Sequence, residues 1–139
     1  MKSTIARRSN CPLSYGLEEF GDVWSLLIIR DVMLFGKKTY VEFLASNEKI
    51  ATNILVSRLQ KLVAKGILQK KAHRSDKRKD IYRLTAKGRA LYPIMKEIML
   101  WSKKYDSDTG LADELARALK KEDQAGAIRA FLHAGTQRK

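Results

Sequence analysis

The stretch from Thr39 to Thr85 constrains the fold more than any other part of the chain, because its structural signals come in a fixed order. Thr39 and Glu42 stand at the spacing of a capping box, which predicts a short helix over residues 39–45. A polar turn, residues 46–49, separates this helix from a longer one predicted over residues 51–65. Two helices so close together are expected to pack as a helix-turn-helix.

Two strand-like runs, residues 67–72 and 81–84, follow the helices and enclose the loop His73–Asp80. The loop is densely basic and lacks the Asn-Gly of a tight turn, so a long, mobile tip is expected. Helix, turn, helix and a hairpin with a cationic tip is the layout of a winged helix-turn-helix. The predicted fold class is mainly α with a small β hairpin.

The positive charge of the chain is concentrated on this stretch. The chain has 28 basic and 15 acidic residues, a net charge of +13. From Arg58 to Arg89 there are 12 basic and 2 acidic residues, whereas residues 106–139 hold six of each. This concentration indicates a polyanion partner, expected to be double-stranded DNA, because neutralised phosphates release counterions and so drive binding. An inert basic surface is the alternative.

The second helix of the stretch has two different faces. Leucines at helical spacing form a buried stripe, and the opposite face carries small and amide side chains able to read base edges in a major groove. The base-reading candidates are Thr52, Asn53, Val56, Ser57 and Gln60. A merely solvated face is the alternative, but it leaves the apolar Val56 unexplained. Candidates for contacts with DNA phosphates, along the helices and the wing, are Lys37, Lys38, Arg58, Lys61, Lys65, His73, Arg74, Lys77, Arg78 and Lys79.

Two helices are predicted before this stretch. Pro12 suits the first position of a helix that runs to Phe20. Asp22 is expected to cap a second helix, Val23–Phe35, that ends at Gly36. The second helix is apolar on nearly all sides, as is typical of the central helix of a core.

Cys11 is the only cysteine, so an intrachain disulfide is excluded. It precedes Pro12 at a helix N-terminus, with Arg7 and Arg8 upstream. The helix dipole and these cations favour a thiolate, which a redox or electrophile sensor needs. A small buried apolar residue is the alternative.

A long helix is predicted over residues 86–105, capped by Thr85 and kinked at Pro93. Its apolar side chains exceed what the core of so small a domain can cover, and a homodimer would bury them. The interface candidates are Leu91, Ile94, Met95, Ile98, Trp101 and Tyr105. Residues 1–105 are therefore expected to form a DNA-binding and dimerisation domain. Residues 106–139 are expected to form a C-terminal helical extension with helices at 111–121 and 124–134.

Signals for other classes of function are weak. His73 and His133 lack carboxylates or cysteines at metal-ligand spacing, and no phosphate-cradling glycine loop exists. We therefore expect no enzyme, no metal and no cofactor. No apolar run reaches membrane-spanning length and the N-terminus lacks a signal-peptide core, so we expect a cytoplasmic protein without a membrane partner. A small-molecule or oxidant effector is left open.

Spaced motifs over residues 10–105 resemble the HxlR-type family of bacterial winged helix-turn-helix transcription regulators. They include Asn-Cys-Pro at 10–12, Gly-Asp-Val-Trp-Ser-Leu-Leu-Ile-Ile-Arg at 21–30, Tyr-Val-Glu-Phe at 40–43 and Tyr-Arg-Leu-Thr at 82–85. The resemblance implies a homodimer that binds promoter DNA and represses or activates neighbouring genes. It also implies that helix 51–65 is the recognition helix, that residues 73–80 are the wing, and that Cys11 matches a sensing cysteine of some members.

The chain departs from the family where the recognition helix begins, since Ala51-Thr52 replaces the usual Ser-Pro. Alanine is a poor cap, so Thr52 or Asn53 is expected to cap the helix instead. The leading hypothesis is a sequence-specific, dimeric transcription regulator. The alternative is an architectural protein that binds nucleic acid without sequence specificity. A protein-interaction winged helix is a third reading, but such a domain has no use for so much positive charge.

Overall fold

The structure is a computed structural model and describes residues 8–73, 75, 79–106, 108 and 117. The helices predicted at 111–121 and 124–134 lie outside the described residues, apart from Arg117, and the division of the chain at residue 105 stays a prediction. In the described part, no helix is both long enough and apolar enough to cross a membrane.

The described residues form six helices and one antiparallel hairpin, in the order α1 (Pro12–Phe20), α2 (Ser25–Phe35), α3 (Tyr40–Leu44), α4 (Thr52–Ala64), β1 (Leu68–Ala72), β2 (Asp80–Leu84), α5 (Ala86–Arg89) and α6 (Tyr92–Tyr105). Leu68 pairs with Leu84 at the base of the hairpin, and Ala72 pairs with Asp80 at its far end. A mainly helical chain with one small hairpin confirms the predicted fold class.

Helix α2 lies in the core, as its sequence predicts. Ile29 is fully buried, and Ile28 and Leu34 are nearly so. The core cluster around α2 combines side chains from α3, α4, the hairpin and α6, namely Phe43, Leu55, Leu59, Leu62, Ile67, Leu68, Tyr82, Leu91 and Met95. The helix-turn-helix and the hairpin therefore share one core.

Side chains organise the starts of two helices, Thr39 as the N-cap of α3 and Asp22 in the turn before α2. The Thr39 hydroxyl accepts the Glu42 amide at 3.3 Å, and the Glu42 carboxylate accepts the Thr39 amide at 3.1 Å, which confirms the capping box. The Asp22 carboxylate accepts the amides of Trp24 and Ser25, each at 2.9 Å. Helix α2 begins at Ser25, two residues later than predicted, because a turn at residues 23–24 precedes it.

The prediction of one long helix over residues 86–105 is wrong. Helix α5 ends at Arg89 and α6 begins at Tyr92. Pro93 lies in the first turn of α6, where its missing N–H costs nothing and its fixed φ suits a helix, so it starts a helix rather than kinking one. Gly88 packs α5 tightly on the hairpin, because a Cβ there would stand 2.4 Å from the Ile67 carbonyl oxygen.

Main-chain hydrogen bonds fix the base of the hairpin to the rest of the fold. The Tyr82 amide donates to the Lys38 carbonyl at 2.8 Å, just before α3. The Thr85 amide donates to the Ile67 carbonyl at 3.1 Å, and the Thr85 hydroxyl donates to the Gly66 carbonyl at 2.5 Å. The hairpin is thereby held at a set position relative to α3.

Candidate nucleic-acid interface

The turn between α3 and α4 is built by backbone geometry. The Lys49 amide donates to the Ser46 carbonyl at 3.0 Å, and Lys49 has a φ of 56°, a left-handed conformation that few non-glycine residues adopt. This confirms the turn predicted at residues 46–49. Ala51 occupies the N-cap of α4 without a side-chain hydrogen bond, so the expectation that Thr52 or Asn53 caps this helix is wrong. Both residues lie in its first turn.

The face of α4 that points away from the core carries all five base-reading candidates. Thr52, Asn53, Val56, Ser57 and Gln60 are exposed. Val56 is 42% exposed, which is unusual for a valine on an otherwise polar face. Leu55, Leu59 and Leu62 on the other side of α4 are buried in the core, so the helix is held in place while its outer face stays exposed. This is the geometry that a helix needs to enter a major groove.

The basic side of α4 carries three candidates for phosphate contacts, and two of them are paired with one carboxylate of the same chain. Arg58 donates from Nε to Asp22 Oδ1 at 3.0 Å, and Lys61 donates from Nζ to Asp22 Oδ2 at 3.5 Å. Burial by itself would raise the Asp22 pKa, but hydrogen bonds from Ser25, Trp24 and Arg58 outweigh burial and lower this pKa well below its usual range. Asp22 therefore remains ionised and keeps both cations engaged.

Lys65, the third predicted phosphate ligand of α4, is held by Glu19 at the end of α1. Glu19 is 5% exposed and accepts hydrogen bonds from Tyr15 and Lys87 at 2.8 Å, with Lys65 Nζ at 3.0 Å. Burial alone would raise the Glu19 pKa, but bonds from Lys87, Lys65 and Tyr15 lower it to about 2. The carboxylate thus joins α1 to the end of α4 and to α5.

A second ionic network lies behind the turn of the helix-turn-helix, and it was missed at the level of sequence. Asp31 is 2% exposed and accepts hydrogen bonds from Arg30 (2.7 Å), Lys37 (3.4 Å) and the Ser46 hydroxyl. Arg30 also binds both carboxylate oxygens of Glu48 at 2.9 Å. Lys37, a predicted phosphate ligand, is thus engaged within the chain. The signal available was an Arg-Asp pair in an otherwise apolar helix.

The remaining cationic candidates lie before α3 or on the hairpin and its loop. Lys38 and Lys79 are exposed, and His73 donates its amide to the Lys79 carbonyl at 2.7 Å. Arg74, Lys77 and Arg78 lie outside the described residues. The hairpin adds Lys71 and Arg83, which sequence reasoning missed: both are exposed, and the register puts them on the face opposite Tyr82. For Arg83 the available signal was its place between Tyr82 and Leu84, whereas Lys71 stands among exposed residues and gave no such signal.

The predicted dimer face is smaller than expected. Leu91 and Met95 are 7% and 5% exposed and belong to the core of the same chain, so little of either side chain is available to a second chain, and their place in an interface stays a prediction. Ile94, Ile98, Trp101 and Tyr105 remain exposed, Trp101 and Tyr105 at 65% each. Beside them, an apolar cleft of about 300 Å³ runs between α2 and α6.

Cys11 occupies the N-cap of α1 and is exposed, so the alternative of a buried apolar residue is wrong. Its amide donates to the Ser9 hydroxyl at 3.2 Å, and its carbonyl accepts the Tyr15 amide at 3.1 Å. Among the described residues, no three histidine, cysteine or carboxylate side chains stand close enough to hold a metal ion.

A capped helix, a tight turn, a second helix with an exposed polar face and an antiparallel basic hairpin on the same core define a winged helix-turn-helix. The sequence model of the HxlR-like helix-turn-helix family matches residues 19–109. The chain belongs to this family, as its spaced motifs predicted.

Similar proteins agree with this assignment. The HTH-type transcriptional regulator Rv3095 of Mycobacterium tuberculosis is 37% identical over 89 residues, 64% of this chain and 55% of Rv3095. The chain thus spans about half the length of this curated relative. The crystal structure of PA1607 has a TM-score of 0.66 at 38% identity, covering 72% of this chain and 68% of PA1607. The redox regulator HypR in its reduced form has a TM-score of 0.60 at 27% identity, covering 68% and 92%.

Proposed function

We propose that the chain is a sequence-specific transcription regulator that binds promoter DNA as a homodimer. The observation that carries this proposal is the exposed face of α4, which presents Asn53, Ser57 and Gln60 around an exposed Val56. Amide and hydroxyl groups can hydrogen-bond base edges, and a valine can contact the methyl group of thymine. A surface that served solubility alone would have no use for that valine.

The charge around this face supports DNA as the partner. Lys38, Lys71, Lys79 and Arg83 are exposed near α3 or on the hairpin, and the sequence adds Arg74, Lys77 and Arg78 at the hairpin tip. Phosphate contacts from such residues fix the register of a protein on a duplex, while the reading helix supplies sequence information. The relatives that are named transcriptional regulators support a regulatory role in the cytoplasm rather than an enzymatic one.

Substitutions on the exposed face of α4 and substitutions in the wing are expected to have different effects on DNA binding. Asn53→Ala or Ser57→Ala should relax preference at particular base pairs, each at a cost of about 1–3 kcal/mol on the operator. Lys77→Ala with Arg78→Ala should weaken binding to all sequences and flatten the salt slope by about one unit for each phosphate that is no longer neutralised. Titrations of the operator and of a random duplex at several salt concentrations measure both effects.

The operator for these titrations is the promoter fragment recovered by genome-wide mapping of bound DNA. Val41→Ala serves as a control, because Val41 is exposed on α3 outside the reading face. If wild-type protein prefers no fragment over random DNA at raised salt, the architectural alternative replaces sequence-specific regulation. Equal losses on both duplexes from both sets of variants would contradict the assignment of base reading to α4.

We also propose that Cys11 senses oxidants or electrophiles. Its exposure at the start of α1 supports this role, as does the similarity to HypR, which is named a redox regulator. An adduct on the thiol would add bulk beside a helix that carries exposed Leu13 and Leu17. Such bulk can tilt one subunit against the other, and paired half-sites tolerate little tilt.

Peroxide or a quinone is therefore expected to lower operator affinity of the wild-type protein at least fivefold, and Cys11→Ser is expected to abolish the response. The peroxide is itself reduced as it oxidises the thiol to a sulfenic acid, whereas the quinone adds to the thiolate. Fluorescence anisotropy with a labelled operator measures the change, and mass spectrometry of the intact protein identifies the adduct. If Cys11 is modified but operator affinity stays the same with either reagent, Cys11 does not act as a sensor.

A further inference from the structure

Asp22 forms the most connected acidic contact with the recognition helix. Its Oδ1 accepts the amides of Trp24 and Ser25 at 2.9 Å and Arg58 Nε at 3.0 Å. Its Oδ2 accepts the Ser25 hydroxyl at 2.5 Å and pairs with Lys61 Nζ at 3.5 Å. One carboxylate thus accepts the amides at the start of the core helix α2 and also forms ion pairs with two cations of α4.

These two cations lie at the border between the exposed face of α4 and its buried stripe. Successive helical residues are about 100° apart, so Arg58 and Lys61 stand about 100° around the helix from Ser57 and Gln60, and both are half-buried against Asp22. Their side chains are 27% and 32% exposed, because they fold back onto Asp22 instead of extending toward solvent. Freed from Asp22, both would stand where a DNA backbone passes when α4 enters a groove.

We propose that Asp22 is a specificity-determining residue, because it withholds Arg58 and Lys61 from sequence-independent contacts with phosphate. Binding to random DNA is almost wholly electrostatic and tolerates many orientations, so it gains from any cation that becomes free. Binding to an operator has one register, in which only suitably placed cations help. Engaging two cations internally therefore weakens random binding more than operator binding. The inference rests on the proposed function of α4.

Asp22→Asn tests this role while keeping the turn before α2, because the amide oxygen of asparagine can still accept the Trp24 and Ser25 amides. The substitution should tighten binding to a random duplex roughly fivefold near 0.1 M salt, and steepen the salt slope by about one unit for each cation released. Operator affinity should rise less, so the ratio of the two affinities falls. Glu18→Gln is the matched control: it removes the same charge from exposed α1, and no ion pair among the described residues includes Glu18.

A double variant assigns the effect to the contact. In an Arg58→Gln background, Asp22→Asn should lose at least half of its gain on random DNA, since one of the two withheld cations is absent. Should Asp22→Asn fail to fold by circular dichroism, Arg58→Gln alone decides. It should flatten the salt slope on random DNA by less than Lys71→Gln, whose cation is exposed on the hairpin.

Two results would overturn the inference. Equal effects of Asp22→Asn and Glu18→Gln would mean that only net charge matters, and weaker binding to both duplexes would mean that Asp22 aims its cations at phosphate. Either outcome leaves sequence-specific binding intact. Wild-type protein that binds no duplex at low salt would instead contradict the proposed function itself, so the two failures are distinguishable.

Discussion

A chain that carries Ile98→Gln and Trp101→Gln is expected to be monomeric and to bind its operator at least a hundredfold more weakly. Both side chains are exposed on α6, at 48% and 65%, in line with Ile94 and Tyr105. The rings of Trp101 and Tyr105 lie next to each other, with centres 5.2 Å apart and planes tilted by 44°, so they form a continuous exposed aromatic surface. In the homodimer that we propose, a second copy covers this surface and places two α4 helices at two half-sites, so loss of the contact is expected to remove the second binding event.

Analytical ultracentrifugation and operator titration together measure this result. Val41→Gln is the control, because Val41 is 69% exposed but lies on α3, away from α6. The control should remain dimeric. If the Ile98→Gln, Trp101→Gln protein sediments as a dimer, the subunits meet through another surface, for example the residues after 106 or the exposed Leu13 and Leu17 of α1.

Asp31→Ala is expected to lower the free energy of unfolding by about 3 kcal/mol, a decrease in Tm on the order of 10 °C. Asp31 is buried between Arg30 and Lys37, whose side chains are only 18% and 21% exposed. Its removal takes away the carboxylate that pairs with Lys37, leaves Arg30 with Glu48 alone, and deprives the Ser46 hydroxyl of its acceptor. Because Ser46 is the first residue of the turn before α4, loss of its contact with Asp31 should also lower the affinity for the operator.

Urea titration followed by circular dichroism measures the free energy of unfolding. Glu97→Ala is the control: Glu97 is 72% exposed, stands 3.9 Å from Lys96, and its removal should change stability by less than about 0.5 kcal/mol. If Asp31→Ala is as stable as Glu97→Ala, the network around Arg30 adds nothing to the fold, and the turn is held by Lys49 and the core alone.

The sequence predicts most of this fold because its signals are local. Pro12, Thr39 and Gly66 mark the limits of helices whose observed bounds differ from the predicted ones by no more than two residues. The buried stripe of α4 follows from leucine spacing alone, and its exposed reading face follows from that stripe. Prolines are harder to interpret: Pro93 is compatible with a kink or with a new helix, and the sequence alone does not distinguish these.

The ionic contacts of Asp22 with α4 and of Glu19 with α5 were not predictable, since they join residues far apart in sequence. Asp22 and Arg58 are separated by 36 positions, and Glu19 and Lys87 by 68. A run of lysines and arginines gives the total charge of a surface but not which cations are already paired. Leu91 and Met95 show the same limit for apolar residues, because a helical stripe has one period whether it meets its own core or a second chain.

The hydrogen bond from the Tyr82 amide to the Lys38 carbonyl has a consequence for how such regulators diverge. It attaches the hairpin to the segment before α3 through main-chain atoms, which no substitution removes except proline at position 82. If α4 and the hairpin bind DNA as we propose, the number of base pairs between their two contacts is set by the backbone. Replacements in the sequence of the loop 73–80 are then expected to change the strength of the hairpin contact and to leave the length of the DNA footprint unchanged.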